Sequence, residues 1–173
     1  HSTVLADLGY EPGEYILATV HRAANTDDPE RLAAILDALG DAPLPVVFPA
    51  HPRTVEAMGD AAVLASARSE MDVIEPVGYL DFVALLAGAE RVATDSGGVQ
   101  KEAFYLDTPC VTLREETEWR ETVECGWNVL VGADGEAIDA ALRREFDRTE
   151  KPTPYGDGTS AEAIVDVLER TLE

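Results

Sequence analysis

Short, nearly all-apolar runs recur along this chain at residues 15–20, 45–49, 73–75, 91–94, 110–113 and 128–131. Runs of that kind suit strands buried on both sides, because a strand with one wet face alternates polar and apolar residues. Between them, residues 29–39, 55–67, 80–89, 99–105, 119–124 and 135–146 carry apolar side chains at helical spacing. Such repetition permits few folds: right-handed βαβ units joined into a parallel sheet with helices on both faces. The predicted fold class is α/β, a doubly wound parallel sheet of about six strands, with residues 1–173 forming one domain. Residues 151–158 (KPTPYGDG) read as a loop and 160–172 as a last amphipathic helix.

Composition narrows the setting. Hydrophobic residues make up 46% of the chain, enough for a packed interior, and no apolar stretch approaches a membrane span. The start at His1-Ser2-Thr3, without Met or a leader pattern, predicts a segment of something longer that is not secreted. Cys110 and Cys125, the only cysteines, read as reduced and structural in a cytoplasmic protein. Net charge is −21, from 34 acidic against 13 basic residues, and only Lys101 and Lys151 are lysines. A surface this negative repels nucleic acid and anionic membranes. Ordinary acidic solubility would explain the excess, but the poverty in lysine favours adaptation to concentrated salt, where self-repulsion is screened.

In open parallel sheets, ligands bind beyond the carboxyl ends of the strands. Here those ends are followed by His21-Arg22, His51-Pro52-Arg53, Pro76-Val77-Gly78-Tyr79, Asp95-Ser96-Gly97-Gly98 and Arg114-Glu115. Two of the three histidines and three arginines therefore fall on one rim of an acidic protein. At Ser96, Gly97 and Gly98 a strand ends, two glycines let a ligand approach the backbone, and a helix begins. Free N–H groups and the positive end of the helix dipole then face one point, an anion site. Glu102, four residues past Gly98, lies one turn deeper and suits the two hydroxyls of a ribose. A lone Gly-Gly turn is more often only a tight turn; the histidines and arginines on the same rim favour a site.

His21 suits a proton or hydrogen bond to a departing phosphate oxygen, since an imidazole titrates near neutrality. Its alternative is a strand-end histidine bonded to a backbone carbonyl. His51 reads as structural, with Arg53 reaching for the anion. Tyr79 and Phe82 stand where a flat base would pack, or Phe82 simply joins the core. There is no GxGxxG after the first strand and no P-loop, and the histidines lack metal-ligand partners, so no metal or cofactor is predicted.

Five segments, ILATVHR (16–22), FPAHPR (48–53), IEPVGYLDF (74–82), TDSGGVQKE (94–102) and REETEWRETVECG (114–126), resemble in order the motifs of non-hydrolysing UDP-N-acetylglucosamine 2-epimerases. The resemblance implies a Rossmann-like C-terminal domain of a two-domain GT-B-type fold, with substrate between the domains and the N-terminal half missing. By position it implies Ser96, Gly97 and Gly98 on the diphosphate of UDP, Glu102 on the ribose, Phe82 at the uracil and His21 as the active-site histidine. The implied reaction takes UDP-N-acetylglucosamine to UDP-N-acetylmannosamine by eliminating UDP to a glycal and re-adding it, with C2 inverted. C2–H is not acidic by itself, so its loss must be coupled to departure of a stabilised leaving group. The proton-transferring carboxylates belong to the absent half, so this chain alone is expected to bind UDP weakly and not to epimerise. A homodimer is implied at full length.

Three departures from better-known bacterial members bear on the substrate. Val77 replaces a Gln that helps hold the base, Ala24 an acidic residue, and Trp119 an Arg that reaches the nucleotide. The stretch ETEWRETVE instead resembles the subfamily of archaeal enzymes and epimerases of UDP-diacetamido-uronic acids. A GT-B glycosyltransferase or a non-catalytic UDP-sugar sensor would share the diphosphate grip. The ordered motifs favour an epimerase over the first, and His21 beside the glycine turn argues against the second.

Overall fold

Six short strands, β1 (Ile16–Thr19), β2 (Val46–Pro49), β3 (Asp72–Ile74), β4 (Arg91–Thr94), β5 (Cys110–Thr112) and β6 (Asn128–Leu130), hydrogen-bond in the order β3-β2-β1-β4-β5-β6. Every neighbouring pair is parallel. The computed structural model describes residues 2–59, 61–148 and 151–172. The expected doubly wound α/β sheet is present, and the chain reverses its direction of building between β1 and β4.

Alternation along the strands decides what each helix covers. Ile16 and Ala18 face a layer made by α3 (Pro29–Gly40), α4 (Pro52–Met58), α5 (Ala61–Glu70) and α9 (Gly135–Arg143), through Leu32, Ile35, Met58, Ala67 and Ile138. Leu17 and Val92 face α1 (Val4–Leu8), α6 (Tyr79–Gly88) and α7 (Gly97–Tyr105), through Leu5, Leu85, Leu86 and Ala103. Ile16 and Leu17 are wholly buried on opposite faces, each contributing about 2 kcal/mol of apolar transfer. Helices α3 and α9 begin at strong caps: the Asp28 carboxylate accepts from the Glu30 (3.0 Å) and Arg31 (3.2 Å) N–H groups at α3, and Asp134 accepts from the Ala137 N–H (2.8 Å) at α9.

Three local expectations are corrected. The stretch 55–67 is two helices, because Gly59 ends α4 with φ +46°, a conformation that breaks the helical run. The helix expected to reach residue 146 stops at Arg143. The buried Arg91 guanidinium of β4 donates to the carbonyls of Ala141 (3.2 Å) and Arg144 (2.7 Å) and lies 5.5 Å from the Phe146 ring, drawing the chain off its helical path. The short α1 and α2 (Ala23–Thr26) were not foreseen, being too short to show a period. A short α8 (Arg120–Glu124) precedes β6.

The last helix, α10 (Ser160–Leu172), leaves Ile164, Val165, Val167 and Leu168 more than half exposed. Both cysteines are free, and burial pushes the Cys110 thiol up to about 12. Among the described residues no helix is long and apolar enough to cross a membrane, and no group of His, Cys, Asp and Glu is placed to hold a metal ion.

Candidate functional site

The reversal between β1 and β4 sets the site. Thr19 and Thr94 are register partners whose hydroxyls share a 2.6 Å hydrogen bond, so His21 and Ser96, two residues beyond each, leave the sheet side by side. One buried carboxylate ties the two strand ends together. Asp95, with no exposed surface, accepts from the His21 N–H (3.1 Å to each oxygen), the Arg22 N–H (2.9 Å) and the Asn25 amide (3.1 Å). Asn25 also donates to the Leu113 carbonyl (3.1 Å), which brings in the end of β5. The donors offset the desolvation of the carboxylate. The His21 Nε2 stands 3.9 Å from Asp95 Oδ1. No role for Asp95 or Asn25 came from sequence reasoning; the available signal was an acid directly after an all-apolar strand.

Ser96 caps α7. Its Oγ accepts from the Val99 N–H (3.5 Å), while its own N–H donates to Thr94 Oγ1 (3.0 Å). The N–H groups of Gly97 and Gly98 have no intrahelical acceptor and lie at the positive end of the α7 dipole. A Cβ at Gly97 would lie 3.3 Å from Glu118 Oε2 and 3.7 Å from guanidinium nitrogens of both Arg114 and Arg22, so two cations flank the turn. Arg114 donates to both Glu118 oxygens (3.0 and 2.8 Å). That guanidinium holds the Glu118 carboxyl down at about 2, so the pair is ionised throughout the neutral range. The Trp119 indole N–H donates to the Gly97 carbonyl (2.6 Å), and one turn along α7 Glu102 accepts from the Tyr79 hydroxyl (3.2 Å).

Beside the turn lies a cavity of about 180 Å³, with walls that include Thr19, His21, His51, Val77, Phe82 and Val99. Its mostly apolar walls suit a planar ring. His51 enters with its ring centroid 5.7 Å from that of His21, while its Nδ1 accepts from the Arg53 N–H (3.1 Å) to cap α4. The structure thus gathers His21, Val77 and Phe82 around one cavity, and Ser96, Gly97, Gly98, Glu102 and Trp119 around the first turns of α7. Arg53 is not drawn in: its guanidinium engages Asp27 (2.8 and 3.1 Å) and the Thr26 hydroxyl (3.0 Å). That bond from Arg53 also lowers the Asp27 carboxyl below its ordinary range.

Residues 1–169 match the family described as UDP-N-acetylglucosamine 2-epimerase. The UDP-2,3-diacetamido-2,3-dideoxy-D-glucuronate 2-epimerase of Pseudomonas aeruginosa is 46% identical over 162 residues, covering 89% of this chain and 44% of the relative. A UDP-N-acetylglucosamine 2-epimerase homolog of Methanococcus maripaludis is 43% identical over 169 residues, covering 95% and 47%. Among solved structures, the Methanocaldococcus jannaschii UDP-GlcNAc 2-epimerase in complex with UDP-GlcNAc and UDP matches with a TM-score of 0.81 at 38% identity, covering 98% of this chain and 49% of that one. The chain spans about half the length of the curated relatives it matches. With its sequence matched almost from end to end and its sheet shared with a solved member, the chain belongs to the UDP-N-acetylglucosamine 2-epimerase family.

Proposed function

We propose that this chain is the UDP-binding, C-terminal half of a UDP-N-acetylglucosamine 2-epimerase that inverts C2 by eliminating UDP and adding it back. One observation carries the reading: the first turn of α7, the flanking Arg22 and Arg114, and a cavity for a flat ring meet at one switch point. The diphosphate would lie on Ser96, Gly97 and Gly98, the ribose on Glu102, and the base against Val77 and Phe82. His21 would donate to the departing phosphate oxygen. The carboxylates that move the C2 proton would come from the other half. The half-length match and the uncovered apolar face of α10 both support such a half.

Calorimetric titration with UDP tests the placement. Ser96→Ala and Glu102→Ala are each expected to weaken binding roughly tenfold. If neither does, the nucleotide does not sit on α7.

A second substrate reading has its own support. The 46% identity to the P. aeruginosa diacetamido-glucuronate epimerase favours a UDP-diacetamido-uronic acid, and turnover of the two sugars by the full-length protein would separate them. The two free thiols support a reducing, cytoplasmic setting. The net charge of −21 supports adaptation to concentrated salt. The thermal midpoint is then expected to rise as KCl goes from about 0.1 M to several molar, where charge repulsion is screened within a few ångströms. A flat or falling midpoint would count against it.

A further inference from the structure

The chain has only two lysines, and both ammonium groups sit over aromatic rings around α7. Lys101 Nζ lies 4.1 Å from the Trp119 ring centroid and 4.4 Å from that of Tyr155, so it rests between the two. Lys151 Nζ lies 4.7 Å from the Phe104 ring and 5.5 Å from the Trp127 ring, and is ion-paired with Asp107. The segment 151–158 is therefore a strap across the phosphate-facing helix rather than a free loop. Tyr155 is its wedge. Its ring stands at 88° to Phe104 (5.6 Å) and 89° to Trp119 (6.2 Å), the favoured edge-to-face arrangement. Its hydroxyl donates to Glu121 Oε2 of α8 (3.2 Å).

This cluster hydrogen-bonds to the glycine turn through the 2.6 Å contact from the Trp119 indole N–H to the Gly97 carbonyl. In a trans peptide the carbonyl and the following N–H point in opposite directions. A donor that fixes the Gly97 carbonyl therefore fixes the Gly98 N–H, aimed out of the start of α7. The helix itself does not need this contact, since Ser96 caps it and Val99, Ala103 and Phe104 bury its inner face. We propose that Lys101, Trp119 and Tyr155 are positioning residues for diphosphate binding, which hold the Gly97–Gly98 peptide in its anion-accepting orientation. The proposal rests on the nucleotide reading above.

The test titrates the full chain with UDP and, separately, with uridine, which lacks the phosphates, followed by NMR at millimolar ligand. Variants are Tyr155→Leu, Lys101→Met, Lys101→Arg and Trp119→Phe; the last keeps a ring under the ammonium but removes the donor. Tyr155→Leu, Lys101→Met and Trp119→Phe are expected to weaken UDP roughly tenfold and leave uridine unchanged, whereas Lys101→Arg, still a cation over the rings, retains UDP binding. Equal losses for UDP and uridine would mean a general loss of structure and would overturn the proposal. So would unchanged UDP affinity in Lys101→Met and Trp119→Phe, even if Tyr155→Leu did not fold. If the unaltered chain binds neither ligand, the nucleotide reading fails and takes this inference with it. If the unaltered chain binds UDP and the variants match it, this inference fails alone.

Discussion

Asp95→Ala is expected to lower the thermal unfolding midpoint by roughly 10 °C. The substitution leaves the His21 and Arg22 N–H groups and the Asn25 amide without their shared acceptor beneath the junction of β1 and β4. Orphaning several partly buried donors costs about 3 kcal/mol after water relieves some of them, and a chain of this size loses about 2–4 °C per kcal/mol. Asp95→Asn should recover part of the loss, since an amide oxygen can accept one of these bonds while its NH₂ group opposes the others. Scanning calorimetry decides it: a shift within a degree or two would mean that the strand ends are held by the sheet alone. Because the same carboxylate orients His21 and Arg22, the alanine variant should also bind UDP more weakly than its lost stability alone would cause.

If the proposed reaction is the one catalysed, His21→Asn in the full-length protein should reduce kcat for epimerisation by about 10²–10⁴, the usual worth of a positioned acid or base, with little change in UDP affinity. Asparagine preserves the backbone bond to Asp95, which is made by the N–H of residue 21 rather than by its ring. It also keeps a hydrogen-bond donor facing the cavity. What it lacks is a nitrogen able to give up and regain a proton as the bond between the sugar and the phosphate oxygen breaks and re-forms. Steady-state kinetics would show the effect in kcat with KM little moved. An unaltered kcat would leave His21 a wall of the cavity and nothing more.

Both predictions depend on groups whose legibility in the sequence differed. His21 stood out because it follows a strand in a chain with few histidines. Asp95 was visible as a letter but silent as to role: nothing local says that an acid after an apolar strand will be covered completely and will collect N–H groups from a strand 74 residues away. Gly59 was passed over inside a helical pattern because a single glycine is tolerated there, and nothing in the neighbouring residues announces its positive φ. Arg91 ended α9 early through carbonyls about 50 residues distant.

The sequence by itself determined the parallel sheet, the two helical layers and the strand-to-helix glycine turn at Ser96, Gly97 and Gly98. Each rests on a local signal: apolar runs of strand length, helical spacing, or glycines placed between a strand and a helix. Only the tertiary structure decided that Arg53 would pair with Asp27, that Trp119 would hold the Gly97 carbonyl, and that residues 151–158 would strap α7 through Lys101 and Tyr155. The physical reason is that period and turn chemistry are written into neighbouring residues. A long polar or aromatic side chain has several partners within reach, and packing between distant segments chooses among them.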